Sequence, residues 1–189
     1  MNKRLACAAL VLALGACDRL PSPQGGGDGR PALDAPAPES APGRAFLPVG
    51  DAARAATGDL TVTMSLRLPD VAHAGAAPQD VLSLRGANGL SVEAEVTNVV
   101  SPGTLIEGQT LRALLALPVE AAQVLVYRVA RETKPESGMG LCGTGDVAFV
   151  VLWEPEGPGE TTLKVMGVSG GAPGAGDARA CPMLEYGRQ

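Results

Sequence analysis

The sequence predicts a mainly β fold, an antiparallel barrel or sandwich of about seven strands with one short helix and one disulfide. Three observations carry this. Short apolar stretches alternate with period two and are separated by Gly/Pro-rich turns. With 25 glycines, 16 prolines and 3% aromatic residues, the composition suits an aliphatic core with much loop. Two of the four cysteines, Cys142 and Cys181, fall inside the domain and are free to pair.

Leu60 to Leu68 reads LTVTMSLRL, which puts Leu60, Val62, Met64, Leu66 and Leu68 on one face of a half-buried strand. Val81–Leu84 and Leu90–Val96 flank Arg85-Gly86-Ala87-Asn88-Gly89, and Asn-Gly at that point predicts a hairpin through positive φ angles. In the second arm Leu90, Val92, Ala94 and Val96 are expected to face the core, with Ser91, Glu93 and Glu95 facing water. Thr110 to Leu117 breaks the alternation. There Leu111, Leu114 and Leu115 fall at helical spacing, with Thr110 as cap and Pro118 as stop, so a short helix is expected, with a strand as the competing reading. Gln123–Val129, Val147–Trp153, Thr162–Val168 and Met183–Tyr186 read as four further strands.

The amino-terminal segment obeys other rules. Lys3-Arg4 precedes an apolar run, Leu5 to Leu14, that closes on Gly15-Ala16. This is the layout of a secretory signal peptide, and about ten apolar residues are too few for a finished membrane span. Leu14-Gly15-Ala16-Cys17 resembles the lipobox of bacterial lipoproteins. The resemblance covers only the first seventeen residues. It implies cleavage after Ala16 and diacylglycerol on the Cys17 thiol, with acylation of the new amino terminus as a frequent addition. Two or three acyl chains hold firmly where one binds reversibly, since each buried methylene contributes about 0.8 kcal/mol. Asp18 resembles the inner-membrane retention signal of enteric bacteria, a rule that differs between lineages, so inner and outer membrane both stay open.

Residues 17–45 are expected to form the lipidated cysteine and a tether. From Asp18 to Ala45 there are six prolines, five glycines and only Leu20 and Leu33 as large apolar groups, too little to offset the entropy of ordering. A flexible coil of that length spans roughly 30 Å on average. Residues 46–189 then form one β-rich domain, large enough for a single core.

Cys7 leaves with the signal peptide and Cys17 is taken by lipid. The remaining even pair in an oxidising compartment is expected to close a disulfide, Cys142 to Cys181.

Charge excludes one class of partner. The formal net charge is −5, and loss of Lys3 and Arg4 leaves thirteen basic against twenty acidic groups, or −7. Without a cluster of Lys or Arg beyond the leader there is no source of counterion release, so no nucleic-acid partner is expected.

Several motifs invite catalytic readings and lack the context for them. Gly167-Val168-Ser169-Gly170-Gly171 fits the nucleophile elbow, but Ala172-Pro173-Gly174 cannot open the helix that the elbow needs. Gly138-Met139-Gly140-Leu141-Cys142-Gly143 fits a phosphate loop but precedes a strand pattern. His73 is the only histidine, so a metal site would have to be built from carboxylates alone. Glu154, Glu156 and Glu160 cluster in a Pro-containing turn beside Trp153 with nothing to fix their separation. No catalytic residue, cofactor or metal is therefore assigned.

The leading functional expectation is a lipid-anchored, periplasm-facing binding or assembly module that meets an envelope protein partner. In general plan and acidity it resembles small exported lysozyme inhibitors. An envelope hydrolase and a barrel carrying a small apolar ligand are the alternatives.

Overall fold

In the computed structural model, residues 42–69, 77–155 and 162–188 are described; the signal peptide, Cys17, most of the tether, His73, Glu156 and Glu160 lie outside them. Eight strands close into one antiparallel barrel: β1 (Arg44–Val49), β2 (Leu60–Arg67), β3 (Gln79–Gly86), β4 (Ser91–Val100), β7 (Val124–Thr133), β8 (Phe149–Trp153), β9 (Thr162–Ser169) and β10 (Arg179–Arg188). Each pairs with its neighbour in the chain, and β10 returns to pair with β1. Between β4 and β7 the chain inserts a small hairpin, β5 (Leu105–Ile106) and β6 (Gln109–Thr110), followed by helix α2 (Leu111–Leu114). A second helix, α1 (Gly50–Ala56), joins β1 to β2.

The period-two pattern works as expected along most of its length. Phe46, Val62, Leu84, Val92, Tyr127, Val150, Val165 and Leu184 point inward and form the barrel core. The outer face of β2 to β4 carries Thr61, Thr63, Ser65, Arg67, Ser83, Arg85, Glu93 and Glu95. Over most of these three strands the inward face is apolar and the outward face polar.

Local chemistry sets the β3–β4 hairpin, with one correction. Only Gly89 takes a positive φ, +96°; Asn88 does not. Asn88 acts through its side chain instead: Oδ1 accepts from the Leu90 amide at 3.0 Å and Nδ2 donates to the Ala56 carbonyl at 2.8 Å, tying the turn to the end of α1. The expected helix is present, with the Thr110 hydroxyl accepting from the Ala113 amide at 3.2 Å.

The expected barrel of about seven strands closes with eight, and the structure adds features that the sequence did not announce. The eighth strand, β1, opens at Arg44, inside the stretch read as tether. Its six residues, RAFLPV, bury only Phe46, too little for a local signal; pairing on both sides with β2 and β10 makes the strand. Helix α1 was not expected either, since seven residues with only Ala53 buried carry no periodic signature. The β5–β6 hairpin is two residues per arm and turns through Glu107 and Gly108, both at positive φ. Finally, Met64, Leu66 and Leu68 keep the expected alternation but are 40%, 51% and 63% exposed. The reason is position: Met64 and Leu66 lie at the far end of β2 and Leu68 just beyond it.

The insert explains why β7, β8 and β9 are apolar on both faces. Ile106, Leu111, Leu115 and Leu117 form a second core with Val124, Val126, Val151, Met166 and Val168 on the outside of the barrel. Lys164, buried on that same outer face, donates to the Ala116 carbonyl at 2.8 Å, and Arg112 donates to the carbonyls of Pro118 and Ala121, fixing the chain that follows α2. Leu115→Ala is expected to cost about 3 kcal/mol in chemical denaturation, because the side chain is fully buried and the cavity cannot collapse against a sheet. An unchanged midpoint would mean that the insert is not seated on β7–β9.

Candidate binding site at the barrel mouth

The two ends of the barrel differ. At one end, α1 and the segment 134–148 close the interior, and Ala53, Leu90, Leu141 and Val147 join its core. The disulfide lies here: Cys142 bonds to Cys181 with 5.0 Å between Cα atoms, joining the segment before β8 to the third residue of β10. Cys181 sits in an irregularity of β10, where the register against β9 shifts between Ala180 and Met183.

The sequence motifs fall at this closed end and are structural. A Cβ on Gly167 would stand 2.8 Å from Cys142 Sγ, so the first glycine of the G-x-S-x-G run makes room for the disulfide. Ser169 ends β9 opposite Arg179, and the chain turns through Gly170, at φ +75°, into β10 with no helix after the serine. In the other glycine run, the Leu141 amide donates to Glu132 Oε1 at 2.9 Å, so a carboxylate of the chain already occupies the glycine loop.

The opposite end, where residues 70–76 and 156–161 connect strands and lie outside the described residues, is not closed by the described residues. A cavity of about 640 Å³ lies there, within the roughly 300–1,000 Å³ of small-molecule sites. Arg44, Met64, Leu125 and Leu152 reach it from inward positions of β1, β2, β7 and β8, while Trp153, Pro155 and the segment 118–123 make its rim. Across the mouth, Arg44 Nη1 donates to both oxygens of Glu154, at 2.6 and 2.7 Å. In the barrel order β9 and β10 stand between the two strands concerned, so this pair spans the lumen. Both side chains are about two-thirds buried, and the Arg44 guanidinium also lies over the Phe46 ring at 5.5 Å. Beneath the pair the Tyr127 hydroxyl is pushed up to about 12 by burial first and the Asp80 carboxylate second, with Arg44 opposing.

Of the residues singled out from sequence, Cys142 and Cys181 come together. Glu154 belongs to the mouth, where it pairs with a cation instead of another carboxylate. Its sequence companions Glu156 and Glu160, and His73 and Cys17, lie outside the described residues. Sequence reasoning missed Arg44, Leu125 and the place of Met64 in the cavity lining. The available signal was the length of the β2 pattern: five inward apolar positions exceed what the core beneath them covers.

Compared with known proteins, the chain matches no protein-family model, no curated protein and no solved structure.

Proposed function

We propose that the chain is a lipid-anchored protein of the bacterial cell envelope, attached to a bilayer through Cys17, which presents its barrel to the periplasm as a binding module with the mouth as its site. One observation carries the binding part: the inward row of β2 continues beyond the core to solvent-facing Met64, Leu66 and Leu68 beside a concave cavity. Apolar groups at the open end of a concavity gain most when something enters it. Leu14-Gly15-Ala16-Cys17 after a short apolar run supports the anchor. The partner fitted by this arrangement is either an envelope protein that inserts an apolar projection or a small apolar ligand. The ion pair favours the small ligand, since Arg44 and Glu154 satisfy each other and ask for no charge in return. A role like that of lysozyme inhibitors rests on general plan and acidic charge, with no inhibitory motif matched. The hydrolase reading has no helix after Ser169 to support it.

Two measurements test the proposal in producing cells. The mature protein is expected to begin at Cys17 and to carry acyl mass on that residue; another first residue removes the anchor. A photo-crosslinking residue in place of Leu66 is expected to capture an envelope component that the same group in place of Arg85, exposed at the closed end, does not. Equal labelling at the two positions removes the mouth as the site.

A further inference from the structure

We propose that the mouth takes a single acyl chain of a lipid from the bilayer to which the tether leads. This rests on the reading of the mouth as a binding site and adds what enters it. Connectivity supplies the first argument. The first 41 residues, with the lipobox cysteine among them, join the domain at Pro42-Gly43-Arg44, and Arg44 itself lines the cavity. The chain's connection to Cys17 is therefore made at the cavity end of the barrel, not at the end closed by α1 and the disulfide.

Chemistry supplies the second. The inward cavity wall is Met64, Leu125 and Leu152, with Trp153, Ala121 and Ala122 on a rim that also carries the polar Glu120 and Gln123, and Leu66 is exposed further along β2. Arg44 and Glu154 cross the lumen bound to each other, so they offer a polar floor whose charges are already matched. A peptide or sugar brings donors and acceptors that lose water on entering and need partners. An alkyl chain brings none, and its gain scales with the apolar area removed from water. Val119, 88% exposed in the 118–123 segment of the rim, adds an apolar contact outside the cavity where the lipid's remaining surface would lie.

Trp153 is the chain's single tryptophan, so the emission comes from one ring, at the rim of the mouth where it also packs against the second core. The mature chain from residue 17, carrying Cys17→Ser, is titrated with dibromostearate below its micellar concentration and, separately, with vesicles of brominated phosphatidylcholine; bromine quenches indole on contact. Saturable quenching is expected from both, with unbrominated stearate giving none. Leu66→Glu, at an exposed position, is expected to weaken binding about tenfold or more, and Arg85→Glu to leave it unchanged. Met64→Gln serves as the second variant, with the same expected direction, should Leu66→Glu fail to fold. Absence of quenching, or quenching equal in wild type and the mouth variant, overturns the proposal. Quenching by the free acid but not by vesicles overturns the bilayer as the source. If instead the cross-link at Leu66 captures a protein and no acyl chain quenches Trp153, the mouth remains a binding site and the lipid is removed from it.

Discussion

Cys142→Ser combined with Cys181→Ser is expected to lower the melting temperature by about 10 °C while leaving unfolding cooperative. The bond joins residues 39 apart in sequence, and the chain-entropy account gives about 4 kcal/mol for closing such a loop. For a domain of this size each kcal/mol shifts the midpoint by roughly 2–4 °C. Native geometry adds a local consequence. The 134–148 segment closes one end of the barrel through Leu141 and Val147, both in the barrel core, and the disulfide ties that segment to β10. Without it, amides of 134–148 should exchange earlier than those of β7 to β9, whose strands hold through ladders on both sides and two apolar faces. Calorimetry with and without reductant measures the loss, and a nonreducing mass two hydrogens below the reduced value confirms which state is present. A melting temperature indifferent to both substitutions would mean that the closed end is held by packing alone.

Alkaline pH is expected to unfold the barrel over a defined interval. The chain has two tyrosines, and both are fully buried: Tyr127 beneath the mouth and Tyr186 near α1, where its hydroxyl lies 2.8 Å from Thr57 Oγ1. Burial pushes each phenol from its ordinary value of 10.0 to about 12; the Asp80 charge adds to the rise at Tyr127, and the Thr57 hydrogen bond opposes it at Tyr186. Since the folded value lies above the unfolded one, the unfolded chain loses its phenolic protons first as pH rises. Stability is therefore complete below pH 10 and lost progressively toward pH 12. At about 1.4 kcal/mol per pH unit, the loss is on the order of 2–3 kcal/mol for each tyrosine and about 5 kcal/mol for the two. Denaturation midpoints measured across this range should fall accordingly, while phenolate absorbance, which only these two residues contribute, should lag behind that of the unfolded chain. Tyr186→Phe should remove about half of the alkaline loss at a cost near 1 kcal/mol at neutral pH for the Thr57 bond. Native absorbance rising at pH 10 would show that neither hydroxyl is sequestered.

Much of the fold was legible because it is written locally. The inward alternation of β2, the Asn88-Gly89 turn, the Thr110 cap and the parity of the cysteines each involve residues or counts that need no distant partner. In β8 and β9, Phe149 to Trp153 is apolar throughout and Leu163 to Val168 is interrupted only by Lys164 and Gly167, but nothing local names what covers a second face. That cover is the insert of Ile106, Leu111 and Leu115, which arrives from between β4 and β7.

The sequence by itself determined a β-rich domain with a hairpin at Asn88-Gly89, a short capped helix and one cysteine pair, because period, turn chemistry and residue count survive in a linear text. Tertiary structure alone decided that the sheet closes, that Arg44 belongs to a strand, and that α1 and the 134–148 segment cover one end while Arg44 and Glu154 meet at the other. Closure is a property of eight registers taken together, and the mouth joins Arg44 to Glu154 across 110 residues. The same alternation therefore buries Leu60 and Val62 and exposes Leu66, and only the length of the covered core separates them.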